Sequence, residues 1–231
     1  MPAKAPSIED RWPSKQPEVL QLYSINSPNG IKVATALEEV GLDYEPHLVN
    51  LWEDEQHSEE FRSISPNSKV PVIIDPDGPD GRPVTMMESG AILLYLAGKS
   101  GKLMPPDAIA RNECLQWVFF QMAHIGPMFG QFEHFHRRGD DNASDPYALE
   151  RYRTESVRLL GVLEARLADL DYLVGEAYSV ADVATFPWVR SLHRIEQGGL
   201  PMAEFPRVLD WLADCLERPA SQIALSICAL P

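Results

Sequence analysis

Between residues 19 and 97 the apolar residues recur by turns with a period of two and with the spacing of a helix. After about residue 107 the period of two does not return. That change limits the chain to an α+β half followed by an all-helical half. A strand reads at 19–24, with Leu20 and Leu22 on one face and Val19, Gln21 and Tyr23 on the other. Asn29-Gly30 opens a helix that runs to about Gly41, a natural C-terminal stop. Residues 44–50 read as a second strand, 53–64 as a polar loop with a short helix, and Ser65-Pro66-Asn67-Ser68 as a turn. A buried strand follows at 70–75. A hairpin turn spans 78–82, a strand 83–87, and Glu88-Ser89 starts a helix to about Ala97. The order is β-α-β-α-β-β-α.

Beyond the Gly- and Pro-rich stretch 99–107, helical spacing runs through 111–135 and 147–170. Ser179-Val180-Ala181-Asp182 reads as a capping box, Pro206 as the first residue of another helix, and Arg218-Pro219-Ala220 as the turn into a last short one. The expected domains are an extended arm over 1–17, lying on the surface or on a partner subunit, an α+β domain over 18–103 and an all-α domain over 108–231.

The first domain has the element order of a thioredoxin-like fold, yet no cysteine stands where its first strand turns into its first helix. That place reads Tyr23-Ser24-Ile25-Asn26-Ser27-Pro28-Asn29-Gly30. A helix start favours a thiolate. If the site performs sulfur chemistry, the thiol arrives with a ligand, and a peptide thiol such as glutathione is the implied one. Cys114, Cys215 and Cys228 have neither disulfide nor zinc spacing and suit a reducing, cytoplasmic compartment.

Three motifs carry candidate chemistry. Ser27 and Asn29, beside free N–H groups, can donate to a bound thiolate; they also serve as plain helix caps. Val70-Pro71 opens a central strand. A cis bond there would turn the backbone of Val70 outward to pair with an extended peptide, and a trans bond would leave an ordinary strand start. Glu88 suits a ligand ammonium, and Ser89 with the N–H groups after it suits a carboxylate, although many helices begin this way. Together the three outline a groove for an α-amino-acid head, a peptide-like middle and a thiol. Tyr23 reads as core rather than as a catalytic hydroxyl. His134 and His136 point two ways on a helix, and no metal site is expected.

A net charge of −14 argues against nucleic acid or an anionic membrane as partner. No apolar run approaches the ~18 residues of a membrane span.

In this order, Ser65-Pro66-Asn67-Ser68-Lys69-Val70-Pro71, Glu88-Ser89-Gly90-Ala91-Ile92-Leu93-Leu94-Tyr95-Leu96, the late capping box and Glu217-Arg218-Pro219-Ala220 resemble a soluble glutathione transferase over residues 19–220. Ser27-Pro28-Asn29-Gly30, Leu37-Glu38-Glu39, Leu115-Gln116-Trp117, Gly126-Pro127-Met128, Gly130-Gln131, His134-Phe135 and Glu150-Arg151-Tyr152 resemble the nu class, bacterial enzymes similar to the fungal nitrogen-regulator prion domain. The resemblance implies glutathione-dependent disulfide-bond reduction, with two glutathione molecules or one glutathione disulfide per site, no tightly bound cofactor, and a homodimer. Family members usually carry threonine at Ser27, and the hydroxyl is kept here.

By the same resemblance Asn29, Gln56, Val70, Glu88, Ser89 and Arg151 match glutathione-binding positions; Lys69 is expected beside them, and Phe135 and His134 near the second substrate, in a pocket with Phe132 and Met128. Without it, Arg151 reads as a surface arginine paired with Glu150 or Glu155. The alternatives are conjugation of glutathione to an electrophile, and a glutathione-binding regulatory protein with little turnover.

Overall fold

The computed structural model describes residues 7–137, 145–195 and 199–230, which form two compact units. The first holds the chain up to Ser100 together with the segment from Pro219 onward; the second is Gly101–Arg218.

In the first unit the expected element order is present: β1 (Leu20–Ser24), α1 (Pro28–Val40), β2 (Tyr44–Leu48), α2 (Glu59–Arg62), β3 (Val72–Asp75), β4 (Val84–Met87) and α3 (Ser89–Ser100). Among the described residues these strands form one sheet in the order β2-β1-β3-β4. β1 runs parallel to β2 and antiparallel to β3, and β3 runs antiparallel to β4. Every residue of β1 is buried, so it is the middle of the unit. β3 starts two residues later than expected. Pro71 has no N–H for the ladder, and the Val70–Pro71 bond is cis.

α1 forms because Ser27 caps it, Pro28 fits its first position and Gly41 closes it with φ 73°. Gly30 is required where the helix leaves β1, since a Cβ there would run into the Ile25 carbonyl.

Two expectations change. The segment 1–17 was expected to be an extended arm, yet its described part folds back onto the first unit. Ile8 and Trp12, four residues apart across a short 3-10 turn (Ile8–Asp10), bury their side chains against Tyr23, Val49, Phe61 and Val72. The Trp12 indole donates to the Leu48 carbonyl at 2.8 Å. Glu45 accepts the Lys15 and Gln16 N–H groups at 2.9 and 2.8 Å. Two large apolar side chains on one face hold this part of the chain on the unit.

The second change concerns the far end of the expected 108–231 domain. α9 (Pro219–Ala224) packs on α1, not on the helical unit. Its buried residues, Ala220, Ser221 and Ala224, are small enough to let the two helices approach.

The second unit contains α4 (Ala108–Phe120), α5 (Gly126–Arg137), α6 (Pro146–Arg166), α7 (Val180–His193) and α8 (Pro206–Glu217). The single helix expected over 111–135 is instead α4 and α5 joined by a π-helical turn, Gln121–Ile125. Gly130 makes room for the Trp188 indole of α7; a Cβ would stand 3.1 Å from its ring. The capping box at Ser179 is formed, and Asp182 is the polar centre of this unit. Its carboxylate accepts from Leu173 N at 2.8 Å, Ser179 N and Oγ at 2.9 Å each, and Trp211 Nε1 at 3.0 Å. Phe205 cannot cap α8, and Glu164 of α6 does so from a distance, accepting from Arg207 N at 3.1 Å and Val208 N at 3.0 Å.

Trp12→Ala should lower the unfolding free energy by about 3–5 kcal/mol, measured by denaturant titration. A change below about 0.5 kcal/mol, as for a surface residue, would return residues 7–17 to the status of an arm.

Candidate active site

Tyr23 of β1, Val72 of β3 and Met87 of β4 lie in one cross-strand row. β1 ends one residue past this row, β4 ends at it and β3 begins at it. The chain after β1, the chain before β3 and the chain after β4 therefore meet at one edge of the sheet. β2 ends at the same edge, with Leu48 opposite Ser24. The segments that carry Ser27 and Asn29, Lys69 and Val70, and Glu88 and Ser89 therefore start from one edge, and Gln56 lies in the chain that follows β2, all within the first unit.

Ser27 has extended backbone angles, and its Oγ accepts from Gly30 N at 3.3 Å. That capping bond uses a lone pair and leaves the hydroxyl proton free to donate. Asn29 is half-buried in the first turn of α1. Ser65 fixes the loop before β3: its hydroxyl donates to the Lys69 carbonyl at 2.9 Å and accepts from Lys69 N at 3.2 Å. The Lys69 side chain is exposed and Val70 half-buried. Gln56 sits in a 3-10 turn, Glu55–His57, with its Oε1 buried and without a hydrogen-bond partner. Glu88 stands exposed with φ 72°, and Ser89 behind it is 3% exposed at the first position of α3.

Two residues at this edge escaped the sequence reading. Lys32 of α1 is 1% exposed, and its Nζ lies 3.4 Å from Ser89 Oγ. The signal was a lone charge between Ile31 and Val33 in an otherwise apolar stretch. Asn26 ties the strand-to-helix turn to the C-terminal segment. Its backbone N–H donates to the Cys228 carbonyl at 2.9 Å and its Nδ2 to the Leu225 carbonyl at 2.6 Å. No local pattern announces a bond across some two hundred residues.

Tyr23 is core, as expected: fully buried, stacked on His47 with ring centroids 4.6 Å apart, its phenol pushed up by burial. Cys114 and Cys215 are buried. Burial raises the Cys114 thiol and pushes the Cys228 thiol up to about 12.

In the second unit, Met128 and Arg151 line one cavity of about 510 Å3 together with Tyr147, Glu150, Tyr152, Thr154 and Glu155. Neither carboxylate offered by the sequence is committed to Arg151. Glu155 is bidentate to Arg158 at 2.7 and 2.8 Å, and Glu150 accepts from Thr154 at 3.1 Å. Phe135 stacks on Tyr152 and meets His134 edge-on. Phe132, expected in the pocket, is 0% exposed and stacks on His136. Neither it nor His134 or Phe135 lines that cavity. Among the described residues no three His, Cys, Asp or Glu side chains cluster as a metal would need.

The comparisons with known proteins agree with this geometry. Residues 26–99 match the glutathione S-transferase N-terminal domain and residues 146–214 the C-terminal domain. The chain is 42% identical over 208 residues to the disulfide-bond oxidoreductase YfcG of Escherichia coli K12, covering 90% of this chain and 94% of that protein. It belongs to the glutathione S-transferase family.

Solved transferases superimpose closely. One from Burkholderia graminis, with two glutathione molecules bound per subunit, is 51% identical with a TM-score of 0.92, over 94% of this chain and 92% of that one. One from Pseudomonas putida, with one glutathione disulfide bound per subunit, is 49% identical with a TM-score of 0.92, over 95% and 96%. The transferase therefore carries its family's fold over nearly its whole length, with Ser27 held by a turn that its own C-terminal segment clamps.

Asn26→Ala removes the shorter of the two clamping bonds and leaves a carbonyl without its donor. The variant transferase should lose about 1–2 kcal/mol of stability in urea unfolding, and its C-terminal segment should be cleaved faster by protease. Unchanged stability and cleavage would show that the clamp holds nothing.

Proposed function

We propose that the chain is a glutathione-dependent disulfide-bond oxidoreductase that uses bound glutathione thiols and no protein cysteine. The observation that carries this reading is the sheet edge itself. It gathers the start of α1 with Ser27 and Asn29, the loop before β3 with its cis Val70–Pro71 bond, and the adjacent Glu88 and Ser89, without a cysteine among them. Adjacent strands lie about 4.8 Å apart, so the edge from β1 across β3 to β4 spans about 10 Å. An extended tripeptide covers the same distance at about 3.3–3.6 Å per residue.

In this reading Glu88 takes the ammonium of the γ-glutamyl head, and Ser89 with the α3 N–H groups takes its carboxylate. The backbone of Val70 pairs with the middle of the ligand. Gln56, with its unmet Oε1, and Lys69 hold the remaining amide and carboxylate. Ser27, Asn29 and the start of α1 hold the thiolate. Arg151, with its cavity beside Met128, binds a ligand carboxylate, and His134 and Phe135 contact the second substrate.

The bound thiolate attacks one sulfur of a disulfide, forming a mixed disulfide and releasing a thiolate that takes a proton from water. A second glutathione thiolate attacks the glutathione sulfur of that mixed disulfide. Glutathione disulfide forms, the second substrate thiolate leaves, and two electrons have passed to the substrate. The bound states of the relatives, two glutathiones in one and glutathione disulfide in the other, are the two ends of this sequence. We further propose a cytoplasmic homodimer. Ile109 and Phe119 of α4, 80% and 65% exposed, are apolar surface that a second copy would cover.

Replacing all three cysteines, Cys114→Ala, Cys215→Ala and Cys228→Ser, should leave kcat/KM for disulfide reduction within about threefold of the parent. A loss beyond tenfold, about 1.4 kcal/mol, in a folded variant would make a protein thiol essential. Glu88→Gln and Ser89→Ala should each weaken glutathione binding by about 1–3 kcal/mol in calorimetry, and unchanged affinity in both would place the head group elsewhere. Asn29→Ala should cut disulfide reduction more than conjugation to an aryl halide, because exchange needs sulfurs in line as well as ionised. The reverse order would favour the conjugating alternative.

A further inference from the structure

Gln56 sits on a stretch that lies outside the sheet. Between the end of β2 at Leu48 and the start of α2 at Glu59 the chain passes through two 3-10 turns, Leu51–Glu53 and Glu55–His57, with Asp54 between them at φ 56°. Trp52 in the first turn is 77% exposed. The backbone bonds of the stretch are short-range: the Asn50 carbonyl accepts from Glu53 N and Glu55 N, and the Asp54 carbonyl from His57 N. One side chain joins the two turns. Glu55 Oε2 accepts from Asn50 N at 2.7 Å.

The other oxygen of that carboxylate is held from outside the stretch. Glu55 Oε1 accepts from the Arg11 guanidinium at 3.0 Å, across 44 residues of chain. Arg11 belongs to the segment expected to be an arm. Its neighbour Trp12 grips the same stretch at both ends, donating to the Leu48 carbonyl at 2.8 Å and meeting the Phe61 ring of α2 edge-on at 6.1 Å. Arg11 reaches the middle, directly before Gln56. A part-exposed ion pair of this kind adds little to stability, so its place says more than its strength. Gln56 Oε1 is buried without a hydrogen-bond partner. An acceptor left unmet is costly, and a donor that meets it is favoured.

We propose that Arg11 is a positioning residue for the ligand: through Glu55 it fixes the turn that presents the Gln56 Oε1 to an N–H of bound glutathione. This rests on the glutathione reading of Gln56. Without Arg11 the carboxylate is held by one oxygen instead of two, and the turn can swing about the bond from Glu55 to Asn50. Ordering the turn is then charged to ligand binding. The planar guanidinium fixes the direction of the carboxylate as well as its distance, which an ammonium does less well. Ser27 and Asn29, which hold the thiolate in that reading, lie on another segment, so the chemical step is untouched. Residues 7–12 thus serve the site without touching the ligand.

The test is calorimetry of reduced glutathione, with steady-state kinetics of disulfide reduction, on the full chain. Its variants are Arg11→Met, Arg11→Lys, Gln56→Ala and the double variant Arg11→Met/Gln56→Ala. Methionine keeps an apolar stem over the Trp12 ring, on which the guanidinium carbon lies 5.3 Å from the centroid, and removes the charge. Arg11→Met should raise Kd and KM for glutathione about three- to tenfold. Its kcat should stay within about twofold and its melting temperature within about 2 °C of the parent. Arg11→Lys should recover part of the affinity. In the double variant Arg11→Met should add less than about twofold to the loss caused by Gln56→Ala, whereas on a Glu88→Gln background it should keep its full effect.

Unchanged affinity in Arg11→Met, with binding weakened in Gln56→Ala, overturns the proposal and leaves the glutathione reading intact. A full Arg11→Met effect in the absence of Gln56 overturns it in the same way, because the arginine would then act on the fold at large. Should Arg11→Met fail to fold, Arg11→Lys is read by the same comparison. Parental affinity in Gln56→Ala overturns the reading of Gln56 and the proposal together.

Discussion

β1 lies buried between a parallel neighbour, β2, and an antiparallel one, β3, and the register of that trio governs what the first unit can offer a ligand. Because β3 runs against both β1 and β4, two helix starts and one strand start leave the sheet at the same edge. Each helix start carries backbone N–H groups with no partner inside the helix. Two such starts one strand apart make a surface that attracts anions at two points, with the loop held by Ser65 between them. A slip of one residue in β3 would exchange the buried faces of Val72 and Ile73 and move the start of the strand along the edge. The packing that protects the core thus also protects the spacing of the edge.

Two buried charges sit in two different surroundings. Asp182 is raised by burial yet accepts four hydrogen bonds, from the loop before α7, its own cap and Trp211 of α8. It joins helices that share no backbone bonds, and its cost is met within the fold. Lys32 lies with its Nζ 3.4 Å from Ser89 Oγ, and the charge of Glu88 partly offsets its burial.

The order of strands and helices was legible because period, caps and turn residues all agree along this chain. Ser27, Gly41, Ser179 and Pro206 each sit where the structure uses them. The gathering of Ser27, Val70 and Ser89 at one edge was legible for the same reason, since strand direction follows from connection length. What escaped has a common cause: it depends on contacts between distant residues. The tie from Asn26 to Leu225, the cap that Glu164 lends to α8, and the fold-back of Trp12 leave no local trace. The π-helical turn between α4 and α5 runs into Gly126-Pro127, where Pro127 has no N–H for the helical ladder, a break that the apolar spacing passes over. Phe132 was misplaced because a helical face shared by core and pocket looks uniformly apolar when read in one dimension.

The return of α9 to the first unit has a consequence for how the molecule comes into being. The ribosome makes the sheet early, but α1 lacks one of its neighbours, and the turn at Asn26 lacks both of its acceptors, until residues 219–228 have been added. The helical unit, contiguous from Gly101 to Arg218, is complete before that. Order of synthesis and order of completion are therefore inverted: the half begun first is finished last. A nascent chain stalled anywhere within α4–α8 would hold a sheet with an uncovered helix face, a natural foothold for chaperones that recognise apolar surface.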